Sequence, residues 1–150
     1  MRVLVLSADA AERRRVTSAL PAAAFDVVEL SDPTAARVEI ERARTEDRPF
    51  DAYVVDGDLD PRGGYAFLYE QRAADEVAAR PPIPSVVLGS RSADRWLAGW
   101  AGASALHLKP VDPFELADEL EALPGRPIPP YGDAGSAAAQ VGTALRRSGR

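Results

Sequence analysis

Short continuous apolar runs alternate with longer stretches of helical periodicity along the chain. The runs are 3–6 (Val-Leu-Val-Leu), 25–30, 50–56, 85–88 and 105–108. Each is four to seven residues long and bounded by turn formers; 3–6 and the centre of 50–56 show the pattern of strands buried on both faces, and 25–30 is interrupted by Asp26 and Glu29. Between them lie segments that read as helices: 10–20 after Asp9, 33–46 opened by Asp32-Pro33, 65–79, 94–101 stopped at Gly102, and 113–123 opened by Asp112-Pro113. Asp9, Asp32 and Asp112 have the side chains that cap helix N-termini, and Pro33 and Pro113 stand where proline suits the first turn. On the second helix Ala36, Val38, Ile40 and Ala43 are expected to form the apolar side. Five strand–helix units in succession predict a parallel sheet with helices on both faces, joined by right-handed crossovers.

The pattern fades after Leu123. Residues 124–130 are proline-rich, 131–136 carry Gly, Asp and Ser, and 137–147 have only a weak helical signal. The chain is therefore expected to divide into a folded domain at 1–123 and a flexible Pro/Gly/Ala-rich tail or linker at 124–150. The formal charge is −5, and the tail carries four arginines against one acid, so the domain itself is strongly acidic. That argues against nucleic-acid binding by the domain. There is no cysteine, which excludes disulfides and thiolate metal sites and fits a cytoplasmic location. No apolar run is long enough to span a membrane, and the opening run is too short for a secretion signal.

The candidate chemistry lies at the strand ends, where open α/β sheets place their sites. Asp56 stands where the third run stops, followed by Asp58, Pro61 and Gly63-Gly64. The first run ends in Ser7-Ala8-Asp9, the fourth in Gly89-Ser90, and the fifth in Lys109-Pro110. Lys109 is the only lysine, and it can meet Asp56 on a common rim. His107, the only histidine, lies between two leucines and is expected to be a packed, hydrogen-bonded side chain. Glu115, Asp118, Glu119 and Glu121 on the last helix are expected to form a solvated face. No phosphate-cradling glycine loop is present, and His107 has no obvious nucleophile beside it.

Val54-Val55-Asp56 with Gly64 eight residues on, Gly102-Ala103-Ser104 before the fifth strand, and Lys109-Pro110-Val111-Asp112-Pro113 resemble the receiver domain of two-component response regulators. The resemblance covers about residues 2–123. It implies a flavodoxin-like (βα)5 three-layer sandwich, an α/β fold with parallel sheet order 2-1-3-4-5. It also implies that Asp56 is the phospho-acceptor position, that Lys109 pairs with it, and that the bond before Pro110 is cis. The family's Mg²⁺ is held by two acids after the first strand, and here those positions are Ser7 and Ala8. Asp56, the carbonyl of Asp58 and, by swinging in, Asp9 remain as candidate ligands, with the Ser7 hydroxyl a poor substitute, so no cofactor is expected and any Mg²⁺ site is weak. The hydroxyl residue ending the fourth strand is replaced by Gly89, with Ser90 one place on, and the switch aromatic of the fifth strand by Leu106. The resemblance points to a non-enzymatic signalling module with a degraded pocket. Its partner is a histidine kinase or another signalling protein. Trp96, Trp100 and Leu106 mark the expected partner face, running from the fourth helix to the fifth and suited also to homodimerisation. A phospho-acceptor working with Mg²⁺ and a flavodoxin-like ligand binder or enzyme are the alternative readings.

Overall fold

A computed structural model describes residues 1–130. Its order is β1 (Arg2–Leu6), α1 (Ala10–Thr17), β2 (Asp26–Leu30), α2 (Pro33–Thr45), β3 (Ala52–Asp56), α3 (Gly64–Val77), β4 (Ser85–Gly89), α4 (Arg95–Trp100, after a 3-10 turn at Ser92–Asp94), β5 (Ala105–Leu108) and α5 (Pro113–Ala122). The strands form one parallel sheet in the order β2-β1-β3-β4-β5. This is the flavodoxin-like fold expected from the sequence.

The apolar runs of β1, β3 and β4 are buried along their length because each of these strands feeds two cores. Side chains alternate across a strand. Leu4, Leu6, Tyr53, Val55, Val87 and Leu106 therefore pack against Ala36, Ile40, Phe67, Leu68 and Ala98 of α2, α3 and α4. Val3, Val5, Val54, Val86, Leu88 and Ala105 pack on the opposite side against Val16 of α1 and Leu116 and Leu120 of α5. The caps form as expected: Asp9, Asp32 and Asp112 each accept from backbone N–H groups of the first helical turn.

Two sequence expectations are corrected. Val38 is 65% exposed. Ala36, Ile40 and Ala43 recur at i, i+4 and i+7 on the inner face of α2, and Val38, two residues from Ala36, points the other way. Glu119 is buried rather than solvated, because with Leu116 and Leu120 it lies on the inner stripe of α5. There it faces His107 of β5 (Nε2 to Oε1, 3.4 Å) and accepts from Arg126 at 2.6 Å. Burial works against ionisation of Glu119, but its bonds to His107 and Arg126 outweigh this and hold its carboxyl below the usual range. His107 itself is buried and hydrogen-bonded, as expected. Past α5 the chain runs on through a 3-10 turn (Leu123–Gly125), and Pro129 O accepts from the buried Arg72 of α3 at 2.6 Å. The rest of the tail, 131–150, lies outside the described residues, and no helix among the described residues is long and apolar enough to cross a membrane.

Candidate functional site

The carboxyl ends of β1, β3, β4 and β5 converge on one rim. Gly57 N donates to Leu88 O (2.9 Å) and Lys109 N to Gly89 O (2.8 Å). Pairing thus runs one residue beyond β3 and β5 and anchors the starts of the loops after them. Asp56 ends β3 with its side chain 10% exposed, and Asp58 N donates to its Oδ1 at 3.0 Å. That bond bends the loop after β3 over the carboxylate. Both Asp60-Pro61 and Lys109-Pro110 are cis.

Lys109 Nζ closes the site. It donates to Asp56 Oδ1 at 2.7 Å and to Asp58 Oδ2 at 2.9 Å. Asp58 enters through its side chain, which also accepts from the Ser90 hydroxyl. Its carboxyl is held below the ordinary range by those bonds, the Ser90 bond foremost and the Lys109 bond next. Burial works against the Lys109 charge. The bonds to Asp56 and Asp58 and the nearby Glu12 charge outweigh it, and the ammonium is raised above its ordinary value.

Sequence reasoning missed Glu12. It comes from the first turn of α1, its side chain only 8% exposed, with Oε1 3.8 Å from Lys109 Nζ. Ser7 Oγ donates to its other oxygen at 2.5 Å. A glutamate ahead of three arginines on a polar helix reads as surface. The available signal was its place five residues beyond Ser7, within reach of the rim. Burial pushes the Glu12 carboxyl above its usual range, the Asp56 charge adds to this, and the Ser7 bond and Lys109 oppose it. The folded state therefore holds a proton that the unfolded chain releases, and Glu12 favours folding less as pH rises from about 4.5 through its folded value. Replacing Glu12 by glutamine is expected to flatten that part of the stability–pH curve, as measured by urea unfolding across pH 4–7. An unchanged curve contradicts the placement.

The other residues expected at the pocket and the partner face take varied positions. Ser7 is buried and bonded to Glu12, and Ala8 has no polar group to offer. Asp9 does not join the carboxylates: its Oδ1 accepts from Ala11 N at 2.9 Å and from Glu12 N at 3.4 Å as the cap of α1. Gly89 leaves its space to Leu106, whose Cδ1 would lie 2.7 Å from a Cβ built there. Leu106 is fully buried, which removes it from the expected partner face, because β5 turns it toward the α3 and α4 layer. Trp96 is 58% exposed, and Trp100 is half-buried with its ring stacked on Tyr69 (centroids 4.2 Å, planes 3° apart). The exposed apolar side chains of α4, the end of β5 and α5 are Trp96, Leu108 and Phe114.

The family that the sequence resembles implies a Mg²⁺ ion on this rim, and the donors present decide whether the rim suits it. Among the described residues no three His, Asp or Glu side chains converge into a ready-made metal site. Asp56 and Asp58 are bridged by an ammonium, and Asp9 is spent on a helix cap. These residues do not fit the ion, which wants near-octahedral oxygen ligation.

No family model matches the chain. Two uncharacterized response regulatory proteins of Mycobacterium tuberculosis strains are 33% identical to it over 117 residues, 77% of this chain and 85% of each relative. Similar solved structures include the chemotaxis response regulator CheY4 of Vibrio cholerae (TM-score 0.67, 21% identity, 81% of this chain and 97% of that one). The CheY-like receiver domain protein of Methanospirillum hungatei has a TM-score of 0.64 at 20% identity, covering 81% and 91%. The receiver domain of the Arabidopsis thaliana histidine kinase CKI1, complexed with Mg²⁺, has a TM-score of 0.67 at 19% identity, covering 81% and 90%. The solved structures share the fold, and the mycobacterial relatives share the sequence over most of their own length. The chain belongs to the response-regulator receiver family of two-component signalling.

Proposed function

We propose that this receiver is an atypical one, a protein-interaction module whose acidic pocket is neutralised by its own lysine in place of a divalent metal. The observation that carries this is the Lys109 ammonium donating to Asp56 and Asp58 at once, at 2.7 and 2.9 Å. Phosphoryl chemistry in a carboxylate pocket depends on a metal to neutralise charge and to position oxygens. With Ser7 and Ala8 where carboxylates would stand, that function falls to Lys109. Bridging the loop after β3 to the end of β5 holds the rim in one resting conformation. In this reading the module works in the cytoplasm. It offers its α4-to-α5 face, with Trp96 and Phe114 exposed, to a histidine kinase, another signalling protein or a second copy of itself. Aromatic side chains of this kind are favoured at interface centres. The second reading, a phospho-acceptor working with Mg²⁺, is favoured by the Asp56–Lys109 pairing alone.

Amide NMR with increasing Mg²⁺ separates the two readings. The expected result is no saturable shift at Asp56, Asp58 or Lys109 below millimolar Mg²⁺. Sub-millimolar binding centred on those residues contradicts the proposal.

A further inference from the structure

Besides Glu12 Oε1, which faces the Lys109 ammonium at 3.8 Å, one more buried side-chain atom at this rim is without a hydrogen bond among the described residues. Tyr65, in the first turn of α3, is 7% exposed, and its hydroxyl has no hydrogen-bond partner among the described residues. Buried hydroxyls are nearly always bonded, and leaving one idle costs stability. Two bare strand ends make its slot. A Cβ on Gly57 would lie 2.7 Å from Tyr65 Cε2 and 2.9 Å from its Oη, and a Cβ on Gly89 would lie 3.2 Å from the same oxygen. The hydroxyl thus stands beside the end of β4, where the sequence provides no side chain. Burial raises its pKa to about 12, with Asp94, Asp58 and Asp56 adding to the rise and Lys109 opposing it. It is a protonated donor at neutral pH, within the electrostatic reach of the carboxylates that Lys109 bridges.

We infer that Tyr65 is the hydrogen-bond donor this pocket keeps for the oxygens of a phosphoryl group carried on Asp56, its bond to a carboxylate oxygen forming as the leaving group of a phosphorylated donor departs with the electron pair of the bond that breaks. The inference rests on the metal-free reading, and it names the ligand class of the same site. With no divalent ion, the oxygens of such a group need donors from the chain. Lys109 supplies charge, the Ser90 hydroxyl now on Asp58 is a second donor, and Tyr65 supplies direction from the β4 side. Mere filling of the slot needs only a ring, which phenylalanine provides equally well. The idle hydroxyl is what the inference explains.

Beryllofluoride tests it, since it bonds a carboxylate oxygen and presents fluorides where the oxygens of a tetrahedral group would be. The full chain is titrated in the presence of a chelator and followed by fluorine and amide NMR. Saturable binding at Asp56 and Lys109 is expected without Mg²⁺. Tyr65→Phe is expected to weaken it roughly tenfold, the effect of one directed hydrogen bond to an anion, while melting no lower than the parent. Adding Gly89→Ser to Tyr65→Phe is expected to recover binding by returning a hydroxyl to β4, since only the flexible end of Leu106 then has to yield. Equal binding by the parent and Tyr65→Phe overturns the role of Tyr65 and leaves the metal-free reading intact. Binding that appears only with Mg²⁺ overturns the metal-free reading itself. Absence of binding under both conditions overturns the inference and leaves the lysine-bridged pocket standing.

Discussion

Replacing Gly64 by alanine is expected to lower the melting temperature by roughly 10 °C or more. A Cβ at this position would lie 2.1 Å from the Asp56 carbonyl oxygen, 2.6 Å from Val55 Cγ1 and 2.8 Å from the Asp56 carbonyl carbon. Two of those atoms are backbone of the central strand and cannot rotate away. Gly64 N also donates to Gly57 O at 3.1 Å, so a shift of α3 breaks the loop that carries Asp58. Overpacking of this kind costs about 3 kcal/mol when side chains can yield, and backbone yields less. For a domain of this size each kcal/mol shifts the midpoint by about 3–5 °C. Gly125→Ala serves as the control, since nothing lies within 4 Å of a Cβ there. A Gly64→Ala protein that melts with the parent contradicts the close approach of α3 to β3.

The second large effect is expected from Lys109→Ala. Asp56, with its side chain 10% exposed, would lose its counter-charge, whereas Asp58, at 53%, would be resolvated by water. The cost lies between the fraction of a kcal/mol typical of exposed pairs and the larger cost of breaking buried ones, about 2–3 kcal/mol. Its pH dependence has a definite sign. Asp58 has a depressed value, so its contribution is present above the ordinary 3.8 and is lost as pH falls through the folded value. Lys109 has a raised value, so its contribution is complete below the ordinary 10.5 and is lost only as pH climbs through the folded value. The lysine bridge is therefore intact at neutral pH and opens on the acid side. Lys109→Ala is expected to show a shallower acid limb than the parent in denaturant unfolding from about pH 2 to 5. Parallel limbs contradict the bridge.

The fold was legible because it rests on local, repeated signals. Residues 3–6 and 86–88 are continuous apolar runs whose two faces serve two cores, and Asp9, Asp32 and Asp112 mark the helix starts within a residue. Asp56 and Lys109 were legible because strand ends in a parallel sheet share one rim. What was hidden depends on how side chains reach through space. Glu12 is an acid on a helix that is otherwise polar and basic, and only its fold back under β1 makes it a pocket residue. Asp58 was expected to matter through its carbonyl, but the turn after β3 brings its carboxylate to Lys109 instead. Tyr65 could not be seen because its slot is made of absences, the missing side chains of Gly57 and Gly89. Leu106 looked like partner surface by its place in β5, but strand alternation turns it into the α3–α4 layer, beside the bare Gly89.

In the proposed pocket Lys109 stands where a divalent ion would otherwise be needed. Removing it should leave the Asp56 and Asp58 carboxylates without the cation that bridges them, and such a pair, with water completing the shell, can draw Mg²⁺. Thermal unfolding of the parent and of Lys109→Ala, each with chelator and with millimolar Mg²⁺, puts this to the test. Mg²⁺ is expected to leave the parent midpoint unchanged and to raise that of Lys109→Ala. A parent stabilised by Mg²⁺ as strongly as the variant would contradict the lysine's place in the pocket.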